Sequence, residues 1–439
     1  MIILSVTAGA GGMYCGSCLQ DNALAAELIA RGHDVTLIPL YTPLLTDEAN
    51  VTRPNVLFGG ISVYLQQHSS FFRRTPRFID RLVDAPRVIS AFADRSVSTD
   101  PTLLGDLTIS MLEGTDGVLR KEFDKLREWV AGEPKPEIVS ITNSMLLGLA
   151  RPLRQELSCP IVCTLQGEDF FIEGLTPPYK ARALELMRQR VHEIDRFIAV
   201  SDFYAGFMKD YLRVPGDRIS VVPLGVNVKG FDRRVSTSDD IFRVGFMARV
   251  APEKGLHLLA QAFVKLRERA GSAARMRLEA AGYLSRAHEG YLGEVRQILS
   301  AAGFLDDFRY RGVLDRGAKA AFLSELQVLS VPATFDDAKG LPLLEGMASG
   351  VPVVQPRRGS FTEIVERTGG GLLVRPDDAD SLADALFMLW RDHELRDQLA
   401  RRGYAGVRER YTLQLSANRL LSVYDDLLGR RTEFAQKIG

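Results

Sequence analysis

Two carboxylates with seven residues between them, Asp337 and Glu345, carry the most informative chemistry in this chain. They lie in Phe335-Asp336-Asp337-Ala338-Lys339-Gly340-Leu341-Pro342-Leu343-Leu344-Glu345-Gly346-Met347-Ala348-Ser349-Gly350-Val351-Pro352-Val353-Val354. Such a pair can accept hydrogen bonds from two hydroxyl-rich parts of one ligand. The residues between them explain how a third part of that ligand would be held. Pro342 suits a first helical turn, where its missing N–H is no loss. Leu343, Leu344 and Met347 form an apolar face at helical spacing, and Gly350 is a natural stop. Val351 to Val354 then read as a buried parallel strand. A short helix therefore points its N-terminal amides out of an α/β sheet, behind Gly340, where a ligand can approach the backbone. That arrangement suits an anion such as phosphate.

The elements needed to position this segment recur along the whole chain. Ile2 to Val6, a Gly9-Ala10-Gly11-Gly12 loop, a helical pattern over Asp21 to Ala30, and a strand beginning near Gly32 open a doubly wound sheet. Gly9-x-Gly11 lacks a third glycine three residues on, which argues against a nicotinamide dinucleotide site. Pro136 to Asn143 and Pro160 to Leu165 are two further strands, separated by a helix-like Leu146 to Leu157. Gln166-Gly167-Glu168-Asp169 follows the second of them, at the end where ligand crevices form. There Glu168 or Asp169 can orient an acceptor hydroxyl, or simply cap a helix. Phe197 to Asp202 reads as the last strand of this half, with Ser201 or Asp202 capping the next helix. Phe242 to Val250 begins a second α/β domain, with Met276 to Ala281, Phe308 to Val313, Gln327 to Val331 and Val351 to Val354 as its other strands. Amphipathic helices follow over Ser381 to Trp390, Leu395 to Arg410 and Leu415 to Leu428.

Two stretches are open to more than one reading. Cys15-Gly16-Ser17-Cys18 could be a redox dithiol or part of a metal site with Cys159 and Cys163, or a set of inert small residues. Phe71 to Leu82 mixes aromatics with arginines, and reads either as a patch for anionic lipid or as a solvated helix packed on its apolar side.

Length and composition bound the rest. At 439 residues, two domains are expected. Lys plus Arg and Asp plus Glu each total 55, so net charge gives no argument for a nucleic-acid partner. No apolar run approaches the ~18 residues of a membrane span. Met1 to Val6 lacks a basic start and reads as a strand, not a signal peptide, so a cytoplasmic location is expected.

The segment from Asp337 to Val354 closely resembles the donor-site signature of family 4 retaining glycosyltransferases. The resemblance is close over residues 219–428 and patchy over 1–45 and 136–205. A fainter likeness to glycogen and starch synthases runs through Ile38 to Tyr41 and Val63-Tyr64, although this chain has Gly9 where those enzymes usually carry Lys. The resemblance implies an α/β chain of GT-B architecture, with two Rossmann-like doubly wound domains facing a central cleft. An acceptor-binding domain would span 1–225, including the less certain segment at about 50–135. A nucleotide-sugar donor domain would span 226–410, and a helix over 411–439 would cross back to the first.

Carried over residue by residue, the resemblance gives Arg249 and Lys254 a grip on the donor diphosphate. Two fixed cations beside a helix N-terminus can stabilise that leaving group without a metal. Asp337, where the family usually has Glu, faces the sugar hydroxyls, and Glu345 holds the ribose. Gly340 and Leu341 offer amides to the phosphates, Gly312 and Val313 meet the base, and Gly11 and Gly12 meet the donor phosphate or the acceptor. Family members often carry histidines where this chain has Thr142 and Gln166. The implied activity is metal-independent, cofactor-free, retaining transfer of a hexose-like sugar from a nucleotide-diphosphate sugar to a carbohydrate, lipid or small-molecule hydroxyl. No nucleic acid is involved, and a peripheral membrane contact is conceivable. The rival readings are a GT-B-type nucleotide-sugar epimerase and a non-catalytic nucleotide-sugar binder, redox-sensing through Cys15 and Cys18.

Overall fold

A computed structural model describes residues 1–9, 16–53, 58, 104–232 and 241–430. The Gly11-Gly12 loop, Cys15, Val63-Tyr64 and the arginine-rich Phe71 to Leu82 lie outside the described residues. The chain divides into two units, one of Met1–Pro223 with Ser416–Gly439, the other of Leu224–Leu415.

In the first unit, β1 (Ile2–Thr7), β2 (Asp34–Pro39), β3 (Ile138–Ile141), β4 (Ile161–Leu165), β5 (Arg196–Ala199) and β6 (Ile219–Val221) form a sheet in the order β2-β1-β3-β4-β5-β6. Every pairing is parallel, with Val6 opposite both Ile38 and Ile141. A parallel sheet covered on both faces needs strands apolar throughout, and Ile138, Val139 and Ile141 of β3 are fully buried. The order runs one way from β1 to β2 and the other way from β1 to β3, so the loops after β1 and β3 flank a switch point.

The sequence reading ends this sheet at Phe197 to Asp202, but the structure adds β6 beyond it, with Phe197 opposite Ile219. A three-residue strand between Pro215 and Pro223 offers too few residues for a period to show. Part of the uncertain 50–135 segment is helical, over Gly105–Glu113 and Arg120–Gly132. Phe123, Leu126 and Val130 make the buried stripe of the second helix, and Phe58 packs edge-on against Phe123. Ser201 caps the helix Asp202–Leu212 by accepting the Tyr204 amide, as its position suggested. The last helix, Leu413–Leu427, sets Ala417, Leu420 and Tyr424 against Ile3, Ile138, Val162 and Ile198.

In the second unit, β7 (Phe242–Met247), β8 (Met276–Ala281), β9 (Phe308–Tyr310), β10 (Val328–Leu329), β11 (Val353–Pro356) and β12 (Gly371–Val374) pair in the order β12-β11-β10-β7-β8-β9. These pairings are again all parallel. The core joins Val244 and Phe246 of β7 to Leu259 and Phe263 of the helix Leu256–Ala270 and to Leu386 of the helix Ala379–Arg391. The switch point lies between β7 and β10. The loop after β7 carries Arg249 and Lys254, and the loop after β10 carries Asp337 and Gly340, so this topology fixes where the candidate site is built.

Among the described residues, no group of three or more His, Cys, Asp or Glu side chains is arranged to hold a metal ion. Cys163 is fully buried in β4, and burial pushes its thiol well above the usual range. No described helix is long and apolar enough to cross a membrane.

Candidate active site

The helix Leu341–Ala348 begins immediately after Gly340, whose φ of +64° lies in the left-handed region. That backbone conformation favours glycine, and a Cβ there would stand 2.5 Å from Cδ1 of Ile364, a side-chain end that would have to move. The turn that this glycine permits folds the chain back on Asp337. Oδ1 of Asp337 accepts from the amides of Lys339 and Gly340, at 2.9 and 3.1 Å. Its Oδ2 accepts from Nζ of Lys254 at 2.8 Å. Burial alone would raise the Asp337 pKa, but the Lys254 ammonium and the two amides outweigh it and hold the carboxyl below the ordinary range. Its backbone is pinned as well, since Ser360 N donates to Asp337 O at 2.9 Å.

Lys254 reaches this carboxylate from the loop after β7. It also lies over the Phe335 ring, 4.5 Å from the centroid, where the negative face of the ring attracts the ammonium. The two loops are tied directly, because Thr334 N donates to Glu253 O at 2.9 Å. Arg249 pairs instead with Glu253, Nη2 to Oε1 at 2.8 Å, and is more exposed than Lys254.

Glu345 sits within the helix, nearly buried, and its Oε1 accepts from Nζ of Lys319 at 2.8 Å. Sequence reasoning missed Lys319. It belongs to the helix Arg316–Glu325, a stretch to which the sequence alone assigns no role, and only the fold brings it to Glu345. The cation–π partner Phe335 was likewise inside the quoted segment but given no role. Gly312 has φ +70° and its carbonyl accepts from the Gly282 amide at 2.8 Å, while Val313 is exposed. The structure thus brings Lys254, Asp337 and Gly340 together, and holds Glu345 in a second ion pair.

In the first unit, Glu168 is buried and accepts from Ser144 N, Ser144 Oγ and Gln166 N, at 3.1, 2.6 and 2.7 Å. Asp169 opens a short helix and accepts from the Tyr204 hydroxyl at 2.7 Å. Burial, reinforced by the neighbouring Glu168 charge and opposed by the Tyr204 hydroxyl, lifts Asp169 to about 6. Nε2 of Gln166 donates to Thr142 O at 2.7 Å and to Asp21 Oδ1 at 3.2 Å, so the amide is fixed at the carboxyl ends of β3 and β4.

With this geometry in view, comparison with known proteins is direct. Residues 229–406 match the family described as Glycosyl transferases group 1, and residues 116–229 match Glycosyltransferase Family 4. The D-inositol 3-phosphate glycosyltransferase of Stackebrandtia nassauensis is 29% identical over 345 residues, covering 74% of this chain and 75% of that protein. The sucrose-phosphate synthase structure from Thermosynechococcus elongatus superposes with a TM-score of 0.71 at 17% identity, over 98% of this chain and 99% of that one. HepE of Anabaena, in complex with UDP, gives a TM-score of 0.68 at 16% identity, over 97% of this chain and 100% of that one. These two structures share the fold. Together the matched family segments run from residue 116 to residue 406, and the chain belongs to the family 4 glycosyltransferases, built on the GT-B fold.

Proposed function

We propose that this glycosyltransferase moves a hexose-like sugar from a nucleotide-diphosphate sugar to an acceptor hydroxyl, with retention at the anomeric carbon and without a metal ion or other cofactor. The observation that carries this reading is the Lys254–Asp337–Gly340 constellation, an ammonium and a carboxylate 2.8 Å apart at the start of an eight-residue helix. The sugar hydroxyls donate to Asp337, whose low pKa keeps it an acceptor. The diphosphate lies against the helix amides at Gly340 and Leu341, with Lys254 and Arg249 on its oxygens. Glu345 accepts from the ribose, and the backbone at Gly312 and Val313 meets the base. The UDP in the HepE complex supports a nucleoside diphosphate as the leaving group.

In the reaction, the bond from the anomeric carbon to the phosphate oxygen breaks and both its electrons leave with the diphosphate. The acceptor oxygen attacks the same face, and its proton passes to a phosphate oxygen. The products are the glycoside and a nucleoside diphosphate. Negative charge grows on the phosphate as the bond breaks, so a fixed ammonium lowers the barrier more than it tightens ground-state binding. Two cations and helix amides supply charge compensation that elsewhere falls to a divalent ion.

The acceptor belongs to the first unit, where Glu168, Asp169 and Gln166 line the carboxyl ends of the strands. A carbohydrate, a lipid headgroup or a phosphorylated polyol like that in the name of the Stackebrandtia relative suits such a polar edge. The cytoplasm, where nucleotide sugars are made, is the expected site of action. A panel of UDP-, GDP- and ADP-sugars, with release of nucleoside diphosphate as the readout and EDTA present, tests the proposal. Turnover in EDTA, with an unchanged anomeric configuration by proton NMR, is expected. Activity that vanishes in EDTA and returns with Mg²⁺, or an inverted product, overturns the mechanism. Binding of nucleotide sugar without release across a broad acceptor extract leaves a binder in place of an enzyme.

A further inference from the structure

The nucleotide end of the site contains an ion pair that the catalytic scheme does not use. Nζ of Lys319 stands 2.8 Å from Oε1 of Glu345, and the two side chains are 12% and 10% exposed. We propose that Lys319 is a positioning residue for nucleotide recognition, holding the Glu345 carboxylate in the orientation that accepts the ribose hydroxyls. This inference rests on the reading of Glu345 as the ribose ligand.

Three features of the structure favour it. A glutamate side chain has three rotatable torsions, and a carboxylate that must serve two vicinal hydroxyls needs its plane fixed. A nearly buried ammonium at 2.8 Å supplies that constraint with little loss to solvent screening. Second, the helix bearing Lys319 is itself held at its start. Asp315 Oδ1 accepts the Ala318 amide at 2.8 Å. Arg316 donates to the carbonyls of Asn227 and Lys229 at 2.8 and 2.7 Å and stacks over the Phe231 ring. The lysine therefore projects from an anchored base and not from a mobile surface turn. Third, that helix follows directly on Gly312-Val313, the backbone proposed to meet the base. One short segment would then set both the base edge and, through Lys319, the ribose carboxylate.

A structural pair and a positioning pair differ in what they do to selectivity. Losing a purely structural pair lowers the melting temperature but leaves the preference between ribose and deoxyribose intact. Isothermal titration of UDP, GDP, ADP and their 2′-deoxy forms into the wild type, Lys319→Met, Lys319→Arg, Glu345→Gln and the double Lys319→Met/Glu345→Gln variant separates these. The wild type is expected to favour the ribo form of its best diphosphate by about tenfold, the scale of one lost hydrogen bond to a charged group. Lys319→Met should collapse this ratio to that of Glu345→Gln, and Lys319→Arg should recover part of it. The double variant, with no buried charge left unpaired, should match Glu345→Gln even where Lys319→Met alone is too unstable to titrate.

An unchanged ribo-to-deoxy ratio in Lys319→Met, with the ratio lost in Glu345→Gln, overturns the inference and leaves the site reading standing. A double variant with a ratio clearly lower than that of Glu345→Gln overturns it too, since Lys319 would then act independently of the carboxylate. If no diphosphate binds the wild type, or Glu345→Gln keeps the full ratio, the site reading itself falls and takes this inference with it.

Discussion

At the scale of single residues, the contribution of the Lys254–Asp337 pair to stability can be separated from its role in the proposed chemistry. Both side chains are largely buried, at 17% and 13% exposure. Removing one partner of such a pair leaves a costly uncompensated charge, whereas neutralising both is often nearly neutral. Lys254→Met should therefore lower stability by about 2–4 kcal/mol and turnover by about a hundredfold or more. The double variant Lys254→Met/Asp337→Asn should regain most of the stability in urea unfolding but none of the turnover. Recovery of both would remove Lys254 from catalysis. Asp169 makes the opposite case. Its pKa, near 6, is above the unfolded value, so its favourable contribution is full below the unfolded pKa and is lost as pH rises through about 6. Asp169→Asn keeps an oxygen for the Tyr204 hydroxyl and removes the titration. The variant should gain about 2 kcal/mol over the wild type at pH 7.5, an advantage that shrinks toward pH 4. Equal denaturation midpoints at both pH values would refute the assignment.

At the scale of elements, the site is made by loops that lie over one another at the β7/β10 switch. Gly359 shows how close that layering is. Its φ is +52°, and a Cβ on it would come 2.6 Å from Asp337 O and 2.7 Å from Asp337 N. No flexible side-chain end is available to yield, so Gly359→Ala must shift the Asp337 backbone. Donor-sugar affinity should fall about tenfold or more, and stability by about 1–3 kcal/mol, on calorimetry and titration of one preparation. An alanine variant with wild-type affinity would mean that the Asp337 loop is not held from beneath. The same layering explains what the sequence could and could not reveal. The segment from Asp337 to Val354 was legible because loop, helix and strand signals are local and contiguous. Pro342 and Gly350 bounded the helix to within two residues of Leu341–Ala348. Lys319 was not legible, because its meaning depends on a partner 26 residues away on another helix. Strand β6 was hidden by its brevity, since three residues are too few for a period to show. The pairing of Lys254 with Asp337 arises from two crossovers and has no trace in spacing.

At the scale of the whole molecule, the described residues of each unit form a six-stranded parallel sheet, and the two sheets are built on the same reversal of strand order. The chain does not divide at one point. It leaves the first unit at Pro223 and returns at Ser416, within the helix Leu413–Leu427. That return is a core contact and not a loose tail. Ala417, Leu420 and Tyr424 recur at helical spacing and share a cluster with Ile3, Ile138, Val162 and Ile198. Tyr424 is 1% exposed, and burial lifts its hydroxyl to about 12, opposed by a hydrogen bond with Ser140. Truncating a buried aromatic removes its transfer energy and leaves a cavity, which costs about 3–5 kcal/mol. Tyr424→Ala should therefore destabilise the first unit by that amount, while Asp426→Ala, on the exposed face, stays within about 0.5 kcal/mol of the wild type. Because Lys254, Asp337, Lys319 and Glu345 all belong to the second unit, nucleoside diphosphate affinity should survive in Tyr424→Ala below its melting point. Acceptor turnover should fail as the first unit unfolds, before nucleotide binding is lost. Hydrogen exchange with mass spectrometry checks both parts, with early exchange expected in β1, β3, β4 and β5 and continued protection in β7 and β8. Protection lost uniformly across both sheets, or a Tyr424→Ala protein as stable as the wild type, would show that the final helix does not hold the first core.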